Sequence, residues 1–271
     1  MYLLLGRLIN QQGMITLNNT NQSVTITKGE LTSYMVDGYE LMHQKGSPGW
    51  SHTDTEMFPI IGPTNKAGYR VHVPKGNALQ DQHGLLRELP YETLMADDKT
   101  ALFEKTYTAG TIIKNSKYPD RSTAERLIWP YSFQFKKRFT LTDTSLKVTF
   151  TVIGELDMPF MIGYHPAFNL RSKNPVIKTD DRSYSIEEVM AAGDRALEVA
   201  NTTTLILEDE KELILNSKGF GNYMLWSPAP TMICIEPISF YPYSVDQNQL
   251  SEGFRHLNKQ EEVFEMQMSV K

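Results

Sequence analysis

The sequence predicts an all-β fold, a large antiparallel β-sandwich with few short helices, and three observations carry that prediction. Apolar and polar residues alternate with a period of two from Phe133 to Val152. The same signature returns near both ends of the chain, at Val24 and Ile26 and at Phe264, Met266, Met268 and Val270. Helical periodicity is scarce, and no strand-helix-strand rhythm of the kind that builds parallel sheets is present. All-β domains of 271 residues commonly stay undivided, so residues 1–271 are expected to form a single domain.

Taken in order, the apolar run Tyr2 to Leu5 is too short for a signal-peptide core, with no positive charge before it and no small-residue cleavage site after it. It reads as an extra strand or a loose arm. Turn signals at Asp37-Gly38, Lys75-Gly76 and Gly219-Phe220-Gly221 punctuate the chain. The clearest element is a hairpin in which Phe133, Phe135, Phe139 and Leu141 share one face, Thr142 to Ser145 turn, and Leu146, Val148, Phe150 and Val152 return. Gln134, Lys136, Thr140, Lys147, Thr149 and Thr151 occupy its other face. Met158 to Ile162 is almost wholly apolar, as a strand buried on both faces would be. Ser185 to Ala192 predicts one or two helical turns and Ser251 to His256 another.

The formal net charge of −5, with no basic stripe, argues against nucleic acid as a partner. No apolar run approaches the roughly 20 residues that cross a bilayer, so no membrane partner is expected. Cys234 is the only cysteine, which excludes an intrachain disulfide and suits a reducing, cytoplasmic setting. Nothing in the sequence chooses between a monomer and a homodimer.

Chemistry concentrates in a few stretches. In Gly163-Tyr164-His165-Pro166-Ala167-Phe168-Asn169 an imidazole stands between aromatic rings, and Pro166 biases His165 toward extended backbone at the point where a strand leaves its sheet. In Met232-Ile233-Cys234-Ile235-Glu236-Pro237 a carboxylate ends an apolar row, where desolvation would raise its pKa toward that of a useful general base, and Pro237 is expected to end the ladder. Asp81-Gln82-His83-Gly84-Leu85-Leu86-Arg87-Glu88 reads either as a surface turn with an ion pair or as a bend that brings His83 and Arg87 to one cavity. Met57 to Asn65 reads equally as a pocket wall or as an ordinary strand-to-loop exit, and Arg70 follows it. Tyr164, Phe168, Trp226, Phe240, Tyr241 and Tyr243 supply rings on which a sugar could stack, although such a stripe is more often core. No two histidines lie at i, i+4 and no His/Cys spacing suits zinc. Neither a Gly-x-Ser-x-Gly turn nor a glycine-rich phosphate loop occurs.

The ordered set of His83-Gly84 with Arg87, Gly163 to Phe168, and Cys234-Ile235-Glu236-Pro237 resembles the aldose 1-epimerase (galactose mutarotase) family, and the resemblance runs from near Met14 to the final strand. Residues 1–13 then precede the usual family start. The resemblance implies a mutarotase-like sandwich and a cofactor-free, metal-free interconversion of sugar anomers, with a small-molecule carbohydrate as the partner. It implies Glu236 as the base at the C1 hydroxyl, His165 as the acid at the ring oxygen and His83 as a second histidine near that oxygen. Relatives often carry an arginine after the Phe58 to Gly62 stretch, where this chain has Pro63, so that contact is lost or is supplied by Asn65, Arg70 or Arg87. Tyr164, Phe168 and Trp226 complete the expected sugar-binding set. Two rival readings remain: a non-catalytic sugar-binding or regulatory protein, and a glycoside hydrolase or lyase, for which a second carboxylate should stand roughly 5–10 Å from Glu236.

Overall fold

The computed structural model describes residues 13–271, and the expected arm at Tyr2 to Leu5 lies outside the described residues. The chain opens with a four-stranded meander, β1 (Met14–Asn18), β2 (Gln22–Thr27), β3 (Glu30–Val36) and β4 (Tyr39–Glu40). There follow β5 (Glu56–Met57), the hairpin β6 (Arg70–Val73) and β7 (Gly76–Leu79), then β8 (Glu92–Ala96), β9 (Thr100–Tyr107), β10 (Ile113–Lys114) and β11 (Arg126–Leu127). The long pair β12 (Phe133–Leu141) and β13 (Ser145–Gly154) precedes β14 (Pro159–Phe160), β15 (Gly163–Tyr164), β16 (Ala167–Asn169), β17 (Val176–Lys178) and β18 (Ser183–Ser185). After helix α1 (Ile186–Ala191) come β19 (Leu197–Val199), β20 (Thr204–Glu208), β21 (Glu212–Lys218), β22 (Asn222–Trp226), β23 (Met232–Ile238), β24 (Arg255–His256) and β25 (Glu261–Val270).

Two sheets organise these strands. One has nine strands in the order β18-β17-β20-β21-β25-β13-β12-β9-β8, and the other has β19-β22-β23-β15-β5, with β16 also pairing with β23. Their inner faces pack together: Phe58 meets Phe133 and Phe135, and Phe150 meets Tyr164, at ring separations of 4.8, 5.4 and 4.9 Å. The β12–β13 hairpin has the expected register, Leu141 opposite Leu146 and Phe133 opposite Gly154. Its inner face includes one residue the alternation did not flag: Lys137, fully buried.

Helix α1 forms where the sequence places it, with the Ser185 hydroxyl accepting from the Glu188 amide as its N-cap. The turn expected over Ser251 to His256 is shifted. A 3₁₀ segment covers Gln247–Gly253, and Arg255–His256 is instead strand β24, which pairs with β14 inside the apolar Met158 to Ile162 run. Among the described residues no helix is long and apolar enough to cross a membrane.

Candidate active site

Strand register builds the site. Gly163 stands opposite Ile238 and Ala167 opposite Cys234, so two residues inward from either pair His165 falls opposite Glu236. Cross-strand neighbours on one face lie close enough to interact, and here the His165 Nε2 is 3.4 Å from the Glu236 Oε1. His165 sits in the break between β15 and β16. Its backbone is nonetheless fixed, because its N–H donates to the Thr55 carbonyl at 2.8 Å and its own carbonyl accepts from the Thr55 amide at 3.2 Å. Pro237 does not end the ladder as expected. The strand β23 runs on through Ile238, since Pro237 lies beside that same break, where a missing N–H costs little.

The period of two then sorts the neighbours. Ala167, Met232 and Cys234 cluster with Trp50 and Trp226 on the face that Glu236 shares, away from the main core. Tyr164 and Phe168 must point the other way, and both are buried in the interlayer core. The Tyr164 hydroxyl donates to Asp54 at 2.7 Å. Neither Tyr164 nor Phe168 lines the cleft, which corrects their expected role as sugar platforms. Arg70 is likewise displaced: on β6 it alternates with buried Val71 and Val73, faces solvent and does not line the cleft.

The cleft itself is about 1250 Å³, with His165 and Glu236 in its lining together with His83, Arg87, Asn65 and Trp226. His83 is brought in by a strained turn at φ 74°. Its amide donates to Ile61 and its carbonyl accepts from Phe58, which pins the turn to the Phe58 to Ile61 segment. Gly84 follows at φ 70°, and a Cβ there would stand 2.2 Å from the Phe58 carbonyl oxygen, so glycine is required. The 3₁₀ turn Leu85–Glu88 buries Leu85 and Leu86 and leaves Arg87 on the cleft side.

Three rings hold the His165 imidazole. Trp50 stacks on it at 4.3 Å and 25°, while His83 and Trp226 meet it edge-on at 5.3 and 5.9 Å. Sequence reasoning missed Trp50. Its signal was an aromatic residue inside the turn-rich Gly46 to Ser51 stretch, where a core strand is excluded.

Burial dominates the titration of the pair. It pushes the Glu236 carboxyl well above the ordinary carboxylate range, and it pulls His165 down to about 3, with the Arg87 charge adding to the depression. His83 is also lowered well below the usual imidazole value, by burial first and then by His165, Arg87 and Lys117. Burial thus favours the uncharged arrangement of the pair, a protonated carboxyl beside a neutral imidazole. No group of three or more His, Cys, Asp or Glu side chains is arranged to hold a metal ion among the described residues.

A carboxyl-imidazole pair at the floor of an open cleft in a two-sheet antiparallel sandwich defines a mutarotase-like protein. The solved structures it resembles have the same fold. A galactose mutarotase-like protein from Lactobacillus casei superposes with a TM-score of 0.76 at 19% identity, over 96% of this chain and 100% of that one. A galactose mutarotase related enzyme from Lactobacillus acidophilus gives 0.72 at 18%, over 95% and 97%. Protein LacX of Lactococcus lactis is 26% identical over 228 residues, 79% of this chain and 70% of its own. The family model for aldose 1-epimerase matches residues 13–218, and the chain belongs to that family. The match takes in His83 and His165 and stops short of Glu236, which strand register alone joins to His165.

Proposed function

We propose that this protein interconverts the α and β anomers of an aldohexose or related sugar, in the cytoplasm, by acid–base opening and closure of the ring. The observation that carries this reading is the 3.4 Å contact between His165 Nε2 and Glu236 Oε1 on the cleft floor. Opening a cyclic hemiacetal requires one proton to leave the C1 hydroxyl and one to reach the ring oxygen. Glu236 takes the first and His165 gives the second; the C1–O5 bond breaks as the C1 carbonyl forms. Rotation about C1–C2 and closure on the opposite carbonyl face return both protons. His83, 5.3 Å from His165 ring to ring, steadies the ring oxygen.

The proton count of the pair is constant through this cycle. The ring-closed sugar reacts from the ionised arrangement, carboxylate beside imidazolium, and the open-chain aldehyde stands beside the neutral one. Burial favours the neutral arrangement. The site is thus electrostatically complementary to the intermediate rather than to the ground state, as catalysis demands. Sugar hydroxyls that hydrogen-bond the carboxylate offset the cost of ionisation at the start of the cycle.

Exchange NMR or polarimetry on freshly dissolved glucose and galactose tests the reading. Glu236→Gln and His165→Asn are each expected to lower the rate by about 10²- to 10⁴-fold; variants that equilibrate anomers as fast as wild type overturn it. Pro63, lining the cleft where relatives often carry arginine, favours a second reading as a sugar-binding protein without turnover. Tight sugar binding with no acceleration across a panel of aldoses would select it.

A further inference from the structure

His43 is a buried imidazole that neither lines the cleft nor takes part in the proton cycle, and it reaches Trp50. Trp50 stacks on His165 from the segment that joins β4 to β5, in which Lys45 to Gly49 are exposed and form no strand. Such a segment does not fix its own side chains. Order comes from beneath it. The Trp50 N–H donates to the Met232 sulfur at 3.2 Å, and the Trp50 carbonyl accepts from His43 Nε2 at 2.8 Å. A carbonyl can only accept, so His43 carries a proton on Nε2. Gly49 passes so close to Met232 that a Cβ there would stand 2.5 Å from the sulfur. The His43 main chain is fixed in turn, because its N–H donates to the Ala167 carbonyl at 2.9 Å, two residues beyond His165. At the foot of the segment Glu30 accepts from the Thr53 amide and hydroxyl at 3.0 and 2.9 Å and from the Lys45 ammonium at 2.5 Å. Those bonds close the loop, whereas His43 is the side chain that holds Trp50 itself.

We propose that His43 is a positioning residue: its Nε2–H fixes the Trp50 carbonyl and, through it, the indole that orients His165. The effect on turnover rests on the epimerase reading above, and the effect on the ring pair rests on geometry alone. A proton passes from His165 to a sugar oxygen only within hydrogen-bond reach, so the direction of the imidazole plane bears on rate. Trp50 sets that plane by stacking at 4.3 Å and 25°. Without the His43 bond the Trp50 peptide can rotate, and the indole leaves the imidazole with it.

Proton NMR of the His165 ring reads the stack without any turnover, since an indole lying over the imidazole shifts its ring protons upfield. Trp50→Leu calibrates the shift that stacking supplies. His43→Leu is expected to lose most of that shift, and His43→Gln, which carries an amide donor at similar reach, to keep most of it. Where His43→Leu does not fold, His43→Asn, whose amide is too short to reach the carbonyl, takes its place with the same expectation. In anomer exchange of glucose, His43→Leu should lower kcat by about two- to tenfold with KM little changed, the worth of one hydrogen bond. His43→Gln should recover most of that loss, and His43→Leu should cost nothing further in a Trp50→Leu background. A His165 shift unmoved in His43→Leu, or lost equally in His43→Gln, overturns the proposal while leaving the epimerase reading intact. So does a kcat loss that adds in full to that of Trp50→Leu. If no sugar is accelerated, the epimerase reading fails, and the ring shift alone decides whether His43 places Trp50.

Discussion

The six-stranded sheet buries titratable groups on both faces, and the two sets are balanced differently. On the cleft face stand Glu236 and His165. On the interlayer face the Lys137 ammonium donates to Asp54 and Glu56, at 2.6 Å each, and the Lys105 ammonium lies 3.6 Å from Glu56. All five of Glu236, His165, Lys137, Asp54 and Glu56 are nearly inaccessible to water. Burial therefore cannot be what separates them. Charge balance is: two ammonium groups meet two carboxylates on one face, whereas the other has no full cation in contact with its carboxyl. Lys137 is accordingly raised and Glu56 lowered against the pull of desolvation, burial lifts Asp54 to about 6 with the Lys137 charge opposing it, and Glu236 is left to desolvation alone. The first set is a staple between the sheets, and the second is a poised acid–base pair. They are also joined, because Thr55, between Asp54 and Glu56, is the residue that fixes the backbone of His165.

The contrast is broken most directly by exchanging the expected phenotypes. Lys137→Met strands two buried carboxylates and is expected to cost about 3–5 kcal/mol of stability in urea unfolding. Glu236→Gln, expected under the epimerase proposal to lose most activity, is expected to leave the unfolding midpoint unchanged or raised. The sign follows from linkage. A carboxyl whose folded pKa is raised contributes stability below its unfolded value of about 4.3, and that contribution is lost as pH rises through the folded value. The gain of Glu236→Gln over wild type should thus be larger at pH 8 than at pH 5. A destabilised Glu236→Gln beside a Lys137→Met protein as stable as wild type would erase the distinction drawn between the faces.

How much of this was legible without coordinates follows from the same faces. The β12–β13 and β25 alternations were readable because each has one buried and one wet side, and a helical turn or two was readable over Ser185 to Ala192. The His165 and Glu236 motifs were readable as chemistry, since each ends or interrupts an apolar row. Their adjacency was implied only by the family resemblance and not by local pattern, because register between distant strands is set by the whole sheet. Tyr164 and Phe168 were misassigned although parity alone decides them: residues one and three positions from His165 along extended chain cannot share its face. Lys137 was overlooked by the same lapse, being in phase with Phe135 and Phe139. Its partner Glu56 lies in the other sheet and Asp54 in the loop just before it, and nothing local marks them.

A smaller effect sharpens the comparison in the pH profile of turnover. Under the epimerase proposal the pair works only with one proton. Below about pH 3, where His165 gains a proton while Glu236 keeps its own, no acceptor remains; above the raised Glu236 value, no donor remains. Between these limits kcat/KM for a neutral sugar should be flat, including across the interval around 6.5 where an ordinary imidazole titrates. An alkaline limb centred near 6.5 would mean that His165 titrates as a solvated histidine and that desolvation does not govern the pair.

The smallest expected change concerns Trp50, which belongs to the cleft face yet carries no charge. Its ring lies 4.3 Å from that of His165, and its backbone amide donates to the Met232 sulfur at 3.2 Å, so the main chain that carries the indole is anchored. Stacked aromatic pairs contribute about 0.5–1.5 kcal/mol beyond burial, which converts to roughly two- to tenfold. Trp50→Leu should lower kcat by that factor with KM little changed if the indole acts by orienting His165. If it serves instead as a surface for the sugar, KM rises and kcat holds. The split matters because Lys137 and Trp50 bear on the same histidine from opposite sides, one through the backbone of Thr55 and one through the ring. Only the second can be removed without disturbing the staple, so a kcat loss in Trp50→Leu at unchanged stability isolates orientation of the imidazole from integrity of the fold.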